Sequence, residues 1–116
     1  MRSRAGVKQQ FDIWSFDFPG QGAHPCVLIS HPDICAWSAV VIVLDGTSQK
    51  QSRPVYPYEA LLDVEDGLSW ETFCDCATMY AVDSTRLFNR RGQVILERRC
   101  QIRQKLRDLF RLLATD

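Results

Sequence analysis

The sequence has no net charge, no CxxC pair and no apolar run long enough to cross a membrane. Its 14 basic residues balance its 14 acidic residues, so no overall field draws the chain to nucleic acid or to a membrane surface. The five cysteines are an odd number, and their spacing predicts neither a disulfide framework nor a structural zinc site. We expect most of them to be small buried side chains of a protein kept in a reducing cytoplasm.

The composition is that of an ordinary globular protein, with 46% hydrophobic and 24% charged residues in 116 residues. This length predicts one domain over residues 1–116 that buries a core without disulfides or metal. Residues 1–9 are polar and are predicted to be a flexible leader. The opening "MRSRAGVKQQ" also lacks the apolar segment of a signal peptide.

Strand signals dominate the first two thirds of the chain. β-branched, aromatic and alternating apolar residues predict strands in "FDIWSFDF" (11–18), "CVLIS" (26–30), "SAVVIVL" (38–44), "EALLDV" (59–64) and "TFCDCATMYAV" (72–82). Strict alternation in the last of these puts Cys74, Cys76, Tyr80 and Val82 on one face. The segments between them are predicted to be turns or loops, namely "HPD" (31–33), "DGTSQKQSRP" (45–54) and "NRRGQV" (89–94).

A helix is predicted from about Leu96 to the end of the chain. Its apolar stripe has helical spacing and consists of Ile102, Leu106, Leu109 and Leu113. Short strands followed by one terminal helix indicate a mainly β fold, a small barrel or rolled sheet with a helix packed on it. Residues 86–111 hold nine cationic and only two acidic side chains, which suits either a polyanionic or acidic partner or a solvated helix face.

Two polar segments flank the central strands and are the candidate site. One carries Gln21 and His24, and the other carries Thr47, Ser48, Gln49, Lys50 and Arg53. A short connection makes strands 26–30 and 38–44 antiparallel neighbours, so we expect His24 and Thr47 to face each other across one rim.

Such a set suits phosphodiester chemistry on RNA, which carries its own nucleophile in the 2′-hydroxyl group. A histidine transfers protons near neutral pH, and hydroxyl, amide and guanidinium donors hold phosphate oxygens. No metal ion or other cofactor is needed. Each element also has a simpler interpretation: His24 as a turn residue, "TSQKQS" as a solvated loop, and Trp14, Trp37 and Trp70 as core or interface residues.

Taken in order, the segments resemble the MazF/PemK family of toxin–antitoxin toxins. "FDIWSFDF" is similar to the opening strand of that family, and "GQGAHPCVLIS" to its glycine loop and following strand. "SAVVIVLDGTSQ" resembles its second core strand with a Thr- or Ser-bearing end, while "EALLDVEDGL" and "VDSTRL" match later segments. The resemblance covers nearly the whole chain from Phe11.

The resemblance implies an SH3-like β-barrel with a C-terminal helix that forms a homodimer. It also implies a metal-independent endoribonuclease that cuts single-stranded RNA and is inhibited by a cognate antitoxin. Thr47 matches one of the family's two catalytic positions, with Ser48 beside it. At the other position His24 stands where the family has arginine, and Arg53 is the candidate to supply the missing phosphate clamp.

This departure keeps two other interpretations open. One is a non-catalytic toxin that acts by protein contact on the same fold, as CcdB-like toxins do. The other is a degenerate family member that retains only its antitoxin or dimer contacts.

Overall fold

The computed structural model describes residues 7–48 and 53–111, which form one curled antiparallel sheet and two helices. The strands are β1 (Asp12–Phe18), β2 (Gly22–Leu28), β3 (Val40–Ser48), β4 (Glu59–Leu62), β5 (Thr72–Asp83) and β6 (Phe88–Gln93). Helix α1 is Pro32–Trp37 and helix α2 is Leu96–Phe110, with 3₁₀ turns at Val64–Asp66 and Ser84–Arg86. The order across the sheet is β4-β5-β3-β2-β1-β6. The predicted mainly β fold with a C-terminal helix is confirmed.

Both faces of the sheet are covered, which explains why its strands are so apolar. The first cluster lies under α2 and includes Ile13, Val27, Leu44 and Ile102. The second cluster lies on the other face and contains the buried side chains of Phe16, Phe18, Cys26, Leu28, Cys35, Val41, Val43, Val82 and Leu87. Four of the five cysteines are buried, as expected, and Cys100 is exposed.

Two strands are longer than predicted, and this changes the setting of the site. β2 begins at Gly22 rather than at residue 26, so His24 lies within a strand and not in a hinge loop. β3 continues to Ser48, so the loop predicted from residue 45 was wrong for its first four positions. Pairing with β5 as far as Ser48 stabilises this extension, an effect that local propensity does not reveal.

Two predicted breaks are regular elements instead. The turn predicted at 31–33 opens helix α1, because the His31 ring accepts a hydrogen bond from the Asp33 amide at 3.1 Å and Pro32 occupies the first turn. The break predicted at 89–94 is largely strand β6, which pairs with β1. Gly92 of β6 packs against Gly67. A Cβ added to Gly67 would lie 2.4 Å from the Arg91 carbonyl oxygen, so the two segments approach too closely for a side chain at this position.

The strict alternation predicted for β5 was also wrong. Asp75 pairs with Asp45 and Met79 with Leu44, so residues 76–78 form a bulge against β3. The Asp75 carboxylate accepts hydrogen bonds inside the bulge, from the Ala77 amide and the Thr78 hydroxyl. Cys74 and Cys76 consequently pack in the first cluster, while Tyr80 and Val82 pack in the second.

Helix α2 follows its predicted stripe only in part. Ile102 is fully buried and Leu106 packs beside it, but Leu109 is exposed and Leu113 lies outside the described residues.

Of the predicted leader, residues 1–6 are outside the described part, whereas the Lys8 ammonium lies over the Trp14 ring. Within residues 7–48 and 53–111, no helix is both long and apolar enough to span a membrane.

Candidate functional site

The site is built where β2 and β3 run side by side at one end of the sheet. The antiparallel pairing of β2 with β3 runs from Leu28–Val43 to Cys26–Asp45, and the same register carried two residues further would set His24 opposite Thr47. The strands stay in close contact there, since a Cβ on Gly46 would lie 2.6 Å from the Pro25 carbonyl oxygen. Because side chains alternate along a strand, those of His24, Asp45 and Thr47 share the face opposite α2.

His24 and Asp45 form the centre of this site. The His24 Nδ1 atom lies 3.6 Å from the Asp45 Oδ1 atom, with the two side chains 28% and 13% exposed. On the other side of the ring, Nε2 lies 3.2 Å from the backbone carbonyl oxygen of Gln21. The imidazole is therefore held between a carboxylate and a carbonyl at the end of the β1–β2 turn.

The two atoms that face each other are both buried, and within the described residues neither has a hydrogen-bond partner. Burial raises the pKa of the Asp45 carboxyl, and the nearby His24 ring partly offsets that effect. If Nε2 donates to the Gln21 carbonyl, Nδ1 and Oδ1 need one proton between them to attract each other. The two side chains therefore attract each other at this contact only when they share one proton.

Apolar neighbours complete the wall behind the imidazole. The Phe18 ring meets the His24 ring at an edge, with centroids 6.1 Å apart. Cys26 is fully buried, and desolvation together with the Asp45 charge raises the pKa of its thiol to about 12. Cys26 therefore stays protonated and is not a nucleophile at neutral pH.

Of the other predicted site residues, Gln21 contacts His24 through its backbone carbonyl, while Thr47 and Ser48 lie at the end of β3. Thr47 is exposed on β3. The Ser48 hydroxyl accepts a 2.7 Å hydrogen bond from the Trp70 indole nitrogen.

Gln21 lines an open pocket beside the site with Phe18, Tyr80 and Arg86. The predicted binding residues Gln49 and Lys50 lie outside the described residues.

Arg53 is held by a carboxylate rather than placed against His24. Its guanidinium donates two hydrogen bonds to Glu59, at 2.8 and 2.9 Å, and stacks on the rings of Tyr56 and Phe73. The hydrogen bonds from Arg53 lower the pKa of the Glu59 carboxyl, so the pair is ionised at neutral pH. Arg53 anchors the end of the 45–54 segment, and a phosphate would have to compete with Glu59 for it.

Sequence reasoning missed Asp45 and favoured a core or interface role for Trp70, whose side chain is 60% exposed. Asp45 precedes Gly46, and such a dipeptide is usually a turn. The signal that points to Asp45 is the strand register. Any pairing that sets His24 opposite Thr47 also places Asp45 diagonally across from His24 on the same face. In the described ranges, no group of three or more His, Cys, Asp or Glu side chains is arranged to hold a metal ion.

Comparison with known proteins gives the class of the molecule. Residues 9–110 match the model of the PemK-like, MazF-like toxin of type II toxin–antitoxin systems. This chain belongs to that family. A comparison with curated protein sequences found no match.

Solved structures with the same fold are distant in sequence. An endoribonuclease in complex with its cognate antitoxin, from a mycobacterial species, superposes with a TM-score of 0.75 at 18% identity, over 90% of this chain and 95% of the other. The Mycobacterium tuberculosis toxin MazF-mt6 gives 0.75 at 15% identity, over 87% and 97%. A MazE–MazF complex from Deinococcus radiodurans gives 0.70 at 20% identity, over 90% and 95%. At such identities the likeness establishes the fold.

Proposed function

We propose that this protein is a toxin that cleaves single-stranded RNA without a metal ion, with His24 and Thr47 as its catalytic residues. The observation that carries the proposal is the His24–Asp45 pair, 3.6 Å apart, beside an exposed threonine on a toxin-family fold. A half-buried imidazole beside a carboxylate is a common arrangement for proton transfer.

In this mechanism Asp45 orients the ring through Nδ1, and Nε2 is the atom that takes the proton. The ring takes the tautomer protonated on Nδ1, so Nε2 leaves the Gln21 carbonyl with its lone pair free and removes the proton of the 2′-hydroxyl, whose oxygen attacks phosphorus. The bond to the 5′-oxygen breaks, and that oxygen takes up a proton from the imidazolium. The products are a 2′,3′-cyclic phosphate end and a 5′-hydroxyl end.

Thr47 and the residues after it hold the phosphate in this proposal. The Thr47 hydroxyl donates a hydrogen bond to a phosphoryl oxygen as negative charge develops there. Gln21, Ser48, Gln49, Lys50 and Arg53 are the proposed substrate-binding residues, with Arg53 reaching phosphate only if it exchanges its Glu59 partner. His24 thus takes a proton-transfer role, whereas arginine at this position would bind phosphate as a fixed cation.

The remaining parts of the proposal follow from family membership. Complexes of relatives with a cognate antitoxin, including MazE–MazF, support neutralisation of this chain by an antitoxin protein. We further propose a homodimer that acts in the cytoplasm, where two sites side by side create a groove for RNA.

The test is cleavage of a long single-stranded RNA by purified protein in the presence of a chelator. We expect discrete fragments with 5′-hydroxyl ends, and a loss of rate of about 100-fold or more in His24→Ala and in Thr47→Val. His31→Asn is the matched control, because it removes the other histidine and keeps a good helix cap. It should cleave at the wild-type rate.

Two outcomes would contradict the proposal. RNA that stays intact under all conditions would favour the non-catalytic interpretation, in which the chain acts by protein contact. Wild-type cleavage by His24→Ala would remove the role given to His24 even if the protein is a nuclease.

A further inference from the structure

We propose that Trp70 is a stacking platform for an unpaired nucleobase of the RNA, next to the phosphate bound at His24 and Thr47. This inference rests on the proposed function and adds a binding subsite to it. Trp70 is 60% exposed, which is unusual for the largest apolar side chain.

The indole is exposed and also fixed in place. Its Nε1–H donates a 2.7 Å hydrogen bond to the Ser48 hydroxyl, which ties the ring edge to the end of β3. The Trp70 carbonyl accepts a bond from the Thr72 hydroxyl at 3.2 Å, which holds the backbone from the other side. A ring anchored in this way loses little conformational entropy when a ligand stacks on its face.

The position of the ring relates it to the proposed site. Ser48 directly follows Thr47 and pairs with Thr72, two residues beyond Trp70. Because adjacent side chains on a strand point to opposite faces, Thr47 lies on the face of His24, whereas the Ser48 hydroxyl and the indole bonded to it lie toward the other face, at the end of β3. That placement suits the base of a neighbouring nucleotide rather than the nucleotide whose ribose is attacked.

A nucleobase is the ligand that best fits an exposed, fixed indole beside the proposed phosphate site. Single-stranded RNA offers unstacked bases, and every base has a π face that stacks on tryptophan. The anchor also uses the one polar atom of the indole, so its exposed faces offer stacking and no hydrogen-bond readout. This subsite therefore binds bases with little preference among the four.

The second exposed tryptophan provides a matched control. Trp37 is 54% exposed but ends α1, which precedes β3. The seven residue-to-residue steps from Val40 to Thr47 span roughly 23 Å of strand, so Trp37 lies at the opposite end of the sheet from the site.

The experiment measures the affinity of a pool of random 12-nucleotide 2′-O-methyl RNAs, which lack the nucleophile and cannot be cleaved. We expect Trp70→Ala to weaken binding by about 5- to 150-fold, the range for loss of one stacked base. Trp70→Phe should keep most of the affinity, Ser48→Ala should lose part of it, and Trp37→Ala should match the wild type. An oligomer of 2′-O-methyl abasic units should bind wild type and Trp70→Ala equally.

The possible failures are distinguishable. If the wild type cleaves RNA but Trp70→Ala binds the pool as tightly as the wild type, the stacking subsite is wrong and the nuclease proposal stands. The subsite is also wrong if the loss of Trp70 weakens only the complex with an antitoxin, because the indole is then a protein contact. A wild-type protein that neither binds nor cleaves RNA overturns both proposals.

Discussion

At the scale of single residues, the His24–Asp45 pair is the feature in which stability and function conflict. Nδ1 and Oδ1 face each other at 3.6 Å, buried and without hydrogen bonds in the described structure. A buried polar atom without a partner costs free energy, so such a pair is kept where it serves another purpose.

Replacing Asp45 by asparagine should separate these two effects. Desolvation raises the pKa of Asp45 above its ordinary 3.8, so the folded protein binds that proton more tightly than the unfolded chain does. This tighter binding of the proton adds to the free energy of unfolding. The contribution is fully present below about pH 4 and is lost as the pH rises through the raised pKa. Asp45→Asn stays neutral, and we expect it to be more stable than wild type at pH 7.

The measurement is urea unfolding of both proteins at pH 7 and near pH 4, where their difference should shrink. RNA cleavage should fall at least about tenfold in the same variant, since the carboxylate that orients a histidine base is worth up to about 10⁴ in rate. A variant that is less stable at pH 7, or that cleaves normally, would contradict the role given to Asp45.

At the scale of elements, an ion-pair cluster fixes where α2 leaves the sheet. Arg98 in the first turn of α2 donates to Asp63, at 2.7 Å, and to Asp66, both in the segment of the first 3₁₀ turn. Asp66 is fully buried and also accepts hydrogen bonds from the amides of Asp63 and Ile95. The hydrogen bonds from Arg98 lower the pKa of Asp63.

Arg98→Gln should therefore lower the free energy of unfolding by about 3 kcal/mol, because it leaves a buried carboxylate without its cation. Since the pKa of Asp63 is lowered in the folded state, the contribution of the pair is present above about pH 4 and is lost as the pH falls. Chemical unfolding across this range should show the two proteins converging at acid pH.

The control is Arg107→Gln, on the exposed part of the same helix. A surface change of this kind usually alters stability by less than about 0.5 kcal/mol. If Arg98→Gln were as mild as this control at pH 7, the cluster would not be what holds α2 at this position.

At the scale of the whole molecule, two hydrophobic clusters on opposite faces of one sheet hold the chain together. α2 covers the first, and the candidate site opens at the edge of the second, beside Phe18 and Cys26. The proposed catalytic site and the packing of α2 thus use opposite faces, so changes under the helix should affect stability without reshaping the site.

Ile102→Ala tests this separation. Ile102 is fully buried between α2 and the sheet, and its truncation should cost about 3 kcal/mol through lost burial and the cavity left behind. The cleavage rate of the folded fraction, measured well below the melting temperature, should stay near that of the wild type. Leu109 lies on the same stripe but is 44% exposed. Leu109→Ala should therefore lower the free energy of unfolding far less.

Equal losses from these two truncations would show that α2 is packed in another way. A folded Ile102→Ala protein with a large loss of cleavage would mean that the two faces are coupled.

Much of this protein is determined by its sequence alone. Short apolar runs rich in β-branched residues, such as "SAVVIVL", predict core strands because β-branched side chains pack well in a sheet that is buried on both faces. The helical spacing from Ile102 to Leu109 predicts α2, and the ordered set of segments predicts the toxin family, which is confirmed.

The strand ends, the bulge in β5 and the contacts of the candidate site depend instead on pairing between distant segments. β2 extends through His24 and β3 through Ser48 because each is paired with a neighbour on another part of the chain. The bulge in β5 reverses which residues face which cluster, and no local periodicity encodes it. The approach of Asp45 to His24, and of Trp70 to Ser48, follows from that register, because contacts across 21 or 22 residues of sequence are set by strand pairing and not by propensity.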